Sequence, residues 1–199
     1  MEEALAGDRA ADRAVSARTT CLLLFDFLVG HVDRDPTRYA PVVANAARLL
    51  ASARDTGAMV AHARADHPAG ARALNITDSE SRPPLITGGT PDAEIVPVLA
   101  PRPGEYLVPK HRWSAFFGTY LDHALRTREI DTIVLCGGST EIGIASTAYA
   151  ARDLGYNLIV VSDACTSPKA EVHAQLMREV FPRLARVWST AQTIAMLDA

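Results

Sequence analysis

The feature that most constrains this chain is a recurrence of short apolar runs separated by helix-sized segments. Runs at residues 21–27, 59–63, 132–136 and 158–162 read as strands, with weaker candidates at 105–108 and 185–188. Such an alternation describes an α/β fold in which a mainly parallel sheet is covered by helices on both faces. The longest helix candidate has Pro41 in its first turn, aligns Val42, Val43, Ala46, Leu49, Leu50 and Ala53 on one stripe, and stops at Gly57. A second spans residues 141–154 before Gly155, and a third begins at Ser167-Pro168 and carries Val172, Leu176 and Val180 to Pro182.

With 199 residues and 48% hydrophobic content, the chain has the size and core of one domain. Residues 1–18, rich in Ala, Arg, Asp and Glu, read as a peripheral or frayed extension, and residues 19–199 as the domain proper. Residues 67–103 form a loop-rich insertion broken by Pro83-Pro84, Gly88-Gly89 and Pro91. Loops that leave the carboxyl ends of parallel strands are where substrate-selecting residues belong.

A net charge of -3 without any basic run argues against nucleic acid and membrane surfaces as partners and favours a small-molecule substrate. Cys21, Cys136 and Cys165 are odd in number, far apart and set in apolar runs, the usage of reduced thiols in a cytoplasmic protein. No apolar run approaches the roughly 18 to 20 residues that cross a bilayer.

Three features stand out as candidate chemistry. Asp26 sits at the end of an apolar strand, where a carboxylate is costly unless it caps a turn, is paired, or lies at a mouth. Lys110 follows a weak strand and opens Lys110-His111-Arg112-Trp113-Ser114-Ala115-Phe116-Phe117. The segment Leu135-Cys136-Gly137-Gly138-Ser139-Thr140-Glu141-Ile142-Gly143-Ile144 places paired glycines between strand and helix. There they serve either a turn that needs φ above zero or a cradle of amides for an anion.

Taken together, Asp26, Lys110 before Ser-Ala-Phe, the Gly-rich turn and Asp163-Ala164 resemble the isochorismatase-like hydrolase family, over residues 20–195. The resemblance implies a Rossmann-like three-layer α/β/α sandwich, usually an oligomer (a homodimer or homotetramer), with a cis peptide at Gly138-Ser139. It implies Asp26 and Lys110 as catalytic residues, no cofactor, and no metal. Substrate contacts would fall to Arg64, Trp113, Phe117, Gly138, Ser139, Thr140 and Gly143. Most members use an Asp, Lys and Cys triad, and the cysteine position, three residues after Thr140, is Gly143 here. Asp66-His67-Pro68 is only faintly similar to the metal loop of nicotinamidases, and a second His is missing.

True isochorismatase resembles this chain in Lys-x-Arg-aromatic-Ser-Ala-Phe and in carrying glycine for cysteine. By that likeness Asp26 would protonate a vinyl ether and water would capture the oxocarbenium ion. A neighbouring ammonium favours an ionised aspartate, however, so desolvation or a substrate carboxylate would have to shift the balance toward the acid. Leu28 stands where a Gln is usual, and Gly-Ser-Thr-Glu replaces Val-Tyr-Ala-His, which leaves two further readings open. One is an amidohydrolase in which Asp26 activates water, and the other is a silent binding member.

Overall fold

Every residue of the first and fourth strands is buried, the signature of central strands in a sheet covered on both faces. The computed structural model describes residues 15–70, 80 and 85–199. Most of the extension expected at 1–18, and part of the loop at 67–103, lie outside these residues. The strands are β1 Thr20–Phe25, β2 Met59–Ala65, β3 Tyr106–Lys110, β4 Thr132–Gly138, β5 Asn157–Thr166 and β6 Arg186–Trp188. They form one sheet in the order β3-β2-β1-β4-β5-β6, and every pairing is parallel. The chain winds outward from β1 through β2 to β3, then returns to the other side of β1 for β4. The winding direction therefore reverses between β1 and β4, and sheets of this type bind ligands outside the carboxyl ends of the strands at that point.

Six α-helices are described: α1 Val29–Val32, α2 Pro36–Thr56, α3 Leu121–Thr127, α4 Ala145–Asp153, α5 Ala170–Gln175 and α6 Thr190–Leu197. α2 starts five residues before the expected Pro41, because Asp35 caps it by accepting from the Arg38 amide at 3.1 Å and Pro36 supplies the pre-set φ of a first helical residue. Pro41 is inside the helix, on its exposed side. Val42, Ala46, Leu49, Leu50 and Ala53 are buried as the stripe requires, Val43 is half-buried, and Gly57 ends the helix at φ 74°. The helix expected at 167–182 is shorter: α5 widens into a π turn, Leu176–Val180, and then a tight turn, Phe181–Arg183. α3 and α6 were not legible as helices, since each is only two turns long.

Polar ties fix the layers. Asp163 accepts from the Thr190 amide at 2.7 Å and its hydroxyl at 2.8 Å, anchoring the start of α6 to β5, and Ser52 of α2 donates to Asp198 at 2.9 Å. On β2, His62 is buried and its Nε2 lies 2.9 Å from Glu105, which Arg54 of α2 grips at 2.7 and 3.1 Å. This cluster fastens the edge strand β3 to α2. Burial alone would raise the Glu105 carboxyl, but the Arg54 guanidinium, the Arg102 amide and His62 outweigh it and hold it at about 2, below its usual 4.5.

As pH falls from about 4.5 toward 2 the unfolded chain takes up a proton that folded Glu105 resists, so stability present above that window fades within it. Urea midpoints of the parent and Glu105→Gln are expected to converge between pH 6 and pH 3. A gap that stays constant over that range would show that the cluster does not hold Glu105 ionised.

Candidate active site

Because all six strands run the same way, the strand register decides which side chains meet at the carboxyl edge. Phe25 aligns with Ala63 and Gly137, and Ala65 aligns with Lys110, so the ends of β1 to β4 fall within two residues of one another. Asp26 follows directly on β1. Its φ of 52° turns the chain out of the sheet, which is why the strand ends at Phe25 and not at Phe27. Its amide still donates to Ala63 at 2.9 Å.

Lys110 is the last residue of β3, and its Nζ donates to Asp26 Oδ2 at 2.7 Å. The Ala65 amide donates to Asp26 Oδ1 at 2.8 Å. Asp26 is 7% exposed and Lys110 4%, so each supplies the counter-charge the other needs out of water. The ammonium also stands over the face of Phe25, 4.3 Å from the ring centroid.

The turn after β4 explains its glycines. Gly137 has φ 133°, and a Cβ there would strike the Phe25 carbonyl, so only glycine fits. At Gly138 a Cβ would lie 2.9 Å from the Tyr39 hydroxyl and 3.2 Å from Thr166. The Gly138-Ser139 peptide is cis, as the resemblance implies. Residues Thr140–Ile144 form a π turn that leads into α4, with Thr140 Oγ1 2.9 Å from His173 Nδ1. The Ser139 hydroxyl oxygen and the Glu141 Oε2 atom are buried without a hydrogen-bond partner among the described residues. Buried polar atoms are normally satisfied, so these two are positions where a ligand can donate or accept.

Gly143 is buried in the π turn, and a Cβ built on it would run into the edge of the Phe25 ring. All three cysteines are buried free thiols. Burial pushes Cys165 up to about 12 and holds Cys21 and Cys136 well above the usual thiol range.

The structure therefore brings together Asp26, Lys110, Gly138, Ser139, Thr140 and Gly143 at one edge of the sheet. Arg64 lies within β2, where it pairs with Asp66 at 3.5 Å. Trp113 and Phe117 are 59% and 68% exposed, whereas Ser114 and Ala115 between them turn inward. The Ala115 amide donates to Thr147 Oγ1 at 3.1 Å. Among the described residues no group of three or more His, Cys, Asp and Glu side chains is arranged to hold a metal ion. A cleft of about 370 Å³ lined by Arg152, Asn157, Arg183 and Arg186 opens at the opposite, amino end of the sheet and shares no residue with this site.

Several neighbours were not singled out from the sequence. His31, on α1, is pushed down chiefly by burial, with the Asp26 charge opposing and Arg34, Lys110 and Arg38 reinforcing. Burial raises the Tyr39 phenol, and the Arg38 charge opposes it.

Replacing Lys110 with Met leaves the Asp26 carboxylate buried without its counter-charge, an expected loss of about 3–5 kcal/mol in urea unfolding. Asp26→Asn/Lys110→Met should recover part of that loss. A single Lys110→Met variant within about 1 kcal/mol of the parent would contradict a buried ion pair.

The Isochorismatase domain model matches residues 20–192. The chain is 36% identical over 183 residues to the isochorismatase family protein YwoC of Bacillus subtilis, covering 89% of this chain and 94% of that one. It is 33% identical over 162 residues to maleamate amidohydrolase of Pseudomonas putida, covering 78% and 76%. The structure superimposes on that of an isochorismatase family protein from Burkholderia thailandensis with a TM-score of 0.85 at 33% identity, over 92% and 97% of the two chains. The neighbouring strand ends, the paired Asp26 and Lys110 and the cis turn thus sit in a chain that belongs to the isochorismatase family, whose characterised activities are hydrolytic.

Proposed function

We propose that this protein hydrolyses a small anionic substrate by proton transfer through Asp26, without a cysteine nucleophile, and that the substrate is an enol-pyruvyl ether. The observation that carries this reading is the Phe25 ring packed where a side chain at residue 143 would stand, in a chain whose three thiols are all buried. Thiolate attack needs an accessible, ionisable sulfur, and none is present. The reactive groups left at the site are the Asp26 carboxylate, the Lys110 ammonium and the polar atoms of the turn.

A substrate carboxylate binding at Lys110 competes with Asp26 for the ammonium, which lets Asp26 hold a proton. Asp26 delivers that proton to the terminal carbon of the vinyl ether, and the C=C electron pair forms the new C–H bond, leaving an oxocarbenium ion. Water adds to the cation and returns a proton to Asp26. The hemiketal then collapses to pyruvate and the free alcohol. Trp113, Phe117 and Arg64 would contact the substrate from the mouth, with the amides and hydroxyls of Ser139 and Thr140 on the other side.

A second reading has its own support. Both oxygens of Asp26 accept from N–H donors, an arrangement suited to a base that draws a proton from water. Maleamate, named for the Pseudomonas putida relative, is a small amide that also carries a carboxylate. Attack of that water on an amide carbonyl would release ammonia, with the turn at Ser139 and Thr140 facing the oxyanion.

Purified protein is expected to release pyruvate from isochorismate or its amino analogue, detected through lactate dehydrogenase and NADH. Asp26→Asn should lower that rate by at least about 10²-fold. Ammonia from an amide panel in place of pyruvate would select the second reading. Full activity in Asp26→Asn, or neither product from any substrate, would overturn the role given to Asp26.

A further inference from the structure

The Phe25 ring takes part in two relations that have separate origins. Its face holds the Lys110 ammonium at 4.3 Å, and its edge fills the space above Gly143. A Cβ at residue 143 would lie 2.5 Å from Phe25 Cζ and nearer still to Cε1, whereas real Cβ atoms essentially never come within 3.0 Å of another heavy atom. The ring cannot retreat easily, because Phe25 is 1% exposed and its carbonyl is closed over by Gly137. Packed interiors do not absorb an added side chain without moving something.

We infer that Phe25 is a specificity-determining residue: its ring and Gly143 interlock, and this interlock commits the site to chemistry without a thiol. The inference rests on the reading that Asp26 and Lys110 are the working pair. The two positions exchange volume, so a large residue at 25 requires glycine at 143, and a side chain at 143 requires a smaller residue at 25. Lys110 and position 143 flank the same ring. Once the ring is gone, a thiol at 143 faces the ammonium across the vacated space, where its thiolate is favoured over the ordinary value of about 8.5.

Three variants test the interlock without any substrate: Gly143→Cys, Phe25→Val and Phe25→Val/Gly143→Cys. Gly143→Cys alone should lower Tm by roughly 5 °C or more, as overpacking does in a domain of this size. The double variant should recover at least half of that loss. Iodoacetamide labelling with peptide mass mapping then reads the introduced thiol. At pH 7 it should be alkylated at least about 10-fold faster in the double variant than in the single one, with the midpoint of its pH–rate curve below about 8.5.

Equal stability and equal labelling of the single and double variants would show that the ring does not exclude a side chain at 143. Failure of both to accumulate as folded protein would contradict mutual compensation, and a midpoint at or above about 8.5 would show that the thiol does not face Lys110. Phe25→Val alone serves as the control for loss of the ring. These results do not depend on which substrate turns over, so they fail separately from the pyruvate and ammonia assays.

Discussion

The buried ion pair between Asp26 and Lys110 is the interaction on which the rest of the site depends. Neither charge would be tolerated alone at this depth, and the pair exists because β1, β2 and β3 are parallel and in one register. A shift of one residue in β3 would swing Lys110 to the other face of the sheet and strand the carboxylate. The Arg54, Glu105 and His62 cluster at the start of the same edge strand therefore bears on the site indirectly, by fastening β3 against α2.

A second constraint is steric. Where β1 and β4 lie side by side, Gly137 passes over the Phe25 backbone and Gly143 passes over its ring. One residue thus explains two glycines, and its ring lies against both the lysine and Gly143 of the turn. A glycine in such a turn would ordinarily leave a void, and voids are destabilising. Here the Phe25 ring of β1 occupies the space. The resulting site offers a carboxylate, an ammonium and uncharged donors, a set suited to moving protons and binding an anion.

The parallel sheet was legible because β1, β2, β4 and β5 are buried on both faces and read as apolar runs. Their exact ends were not. Asp26 leaves the strand through a left-handed φ that no pattern of hydrophobicity encodes, and β3 reaches Lys110 through Pro109, a residue that reads as a break. The start of α2 was misplaced because two prolines, Pro36 and Pro41, both suit a helix start, and only the Asp35 side chain decides between them. Within the site, Asp26, Lys110 and the Gly-rich turn could be named because their residue types are unusual where they stand. Phe25 was invisible for the opposite reason: an aromatic residue at the end of an apolar strand looks like core, and its second role emerges only when Gly143 is seen packed against it.

Whether this site works without a thiol is tested most directly by a native-state thiol titration. Incubated with an aromatic disulfide reagent at neutral pH, the folded protein should release no chromophore, and denaturant should expose all three cysteines. A thiol that reacts in the folded protein as fast as free cysteine, with loss of hydrolytic activity as it does so, would contradict catalysis through Asp26 alone.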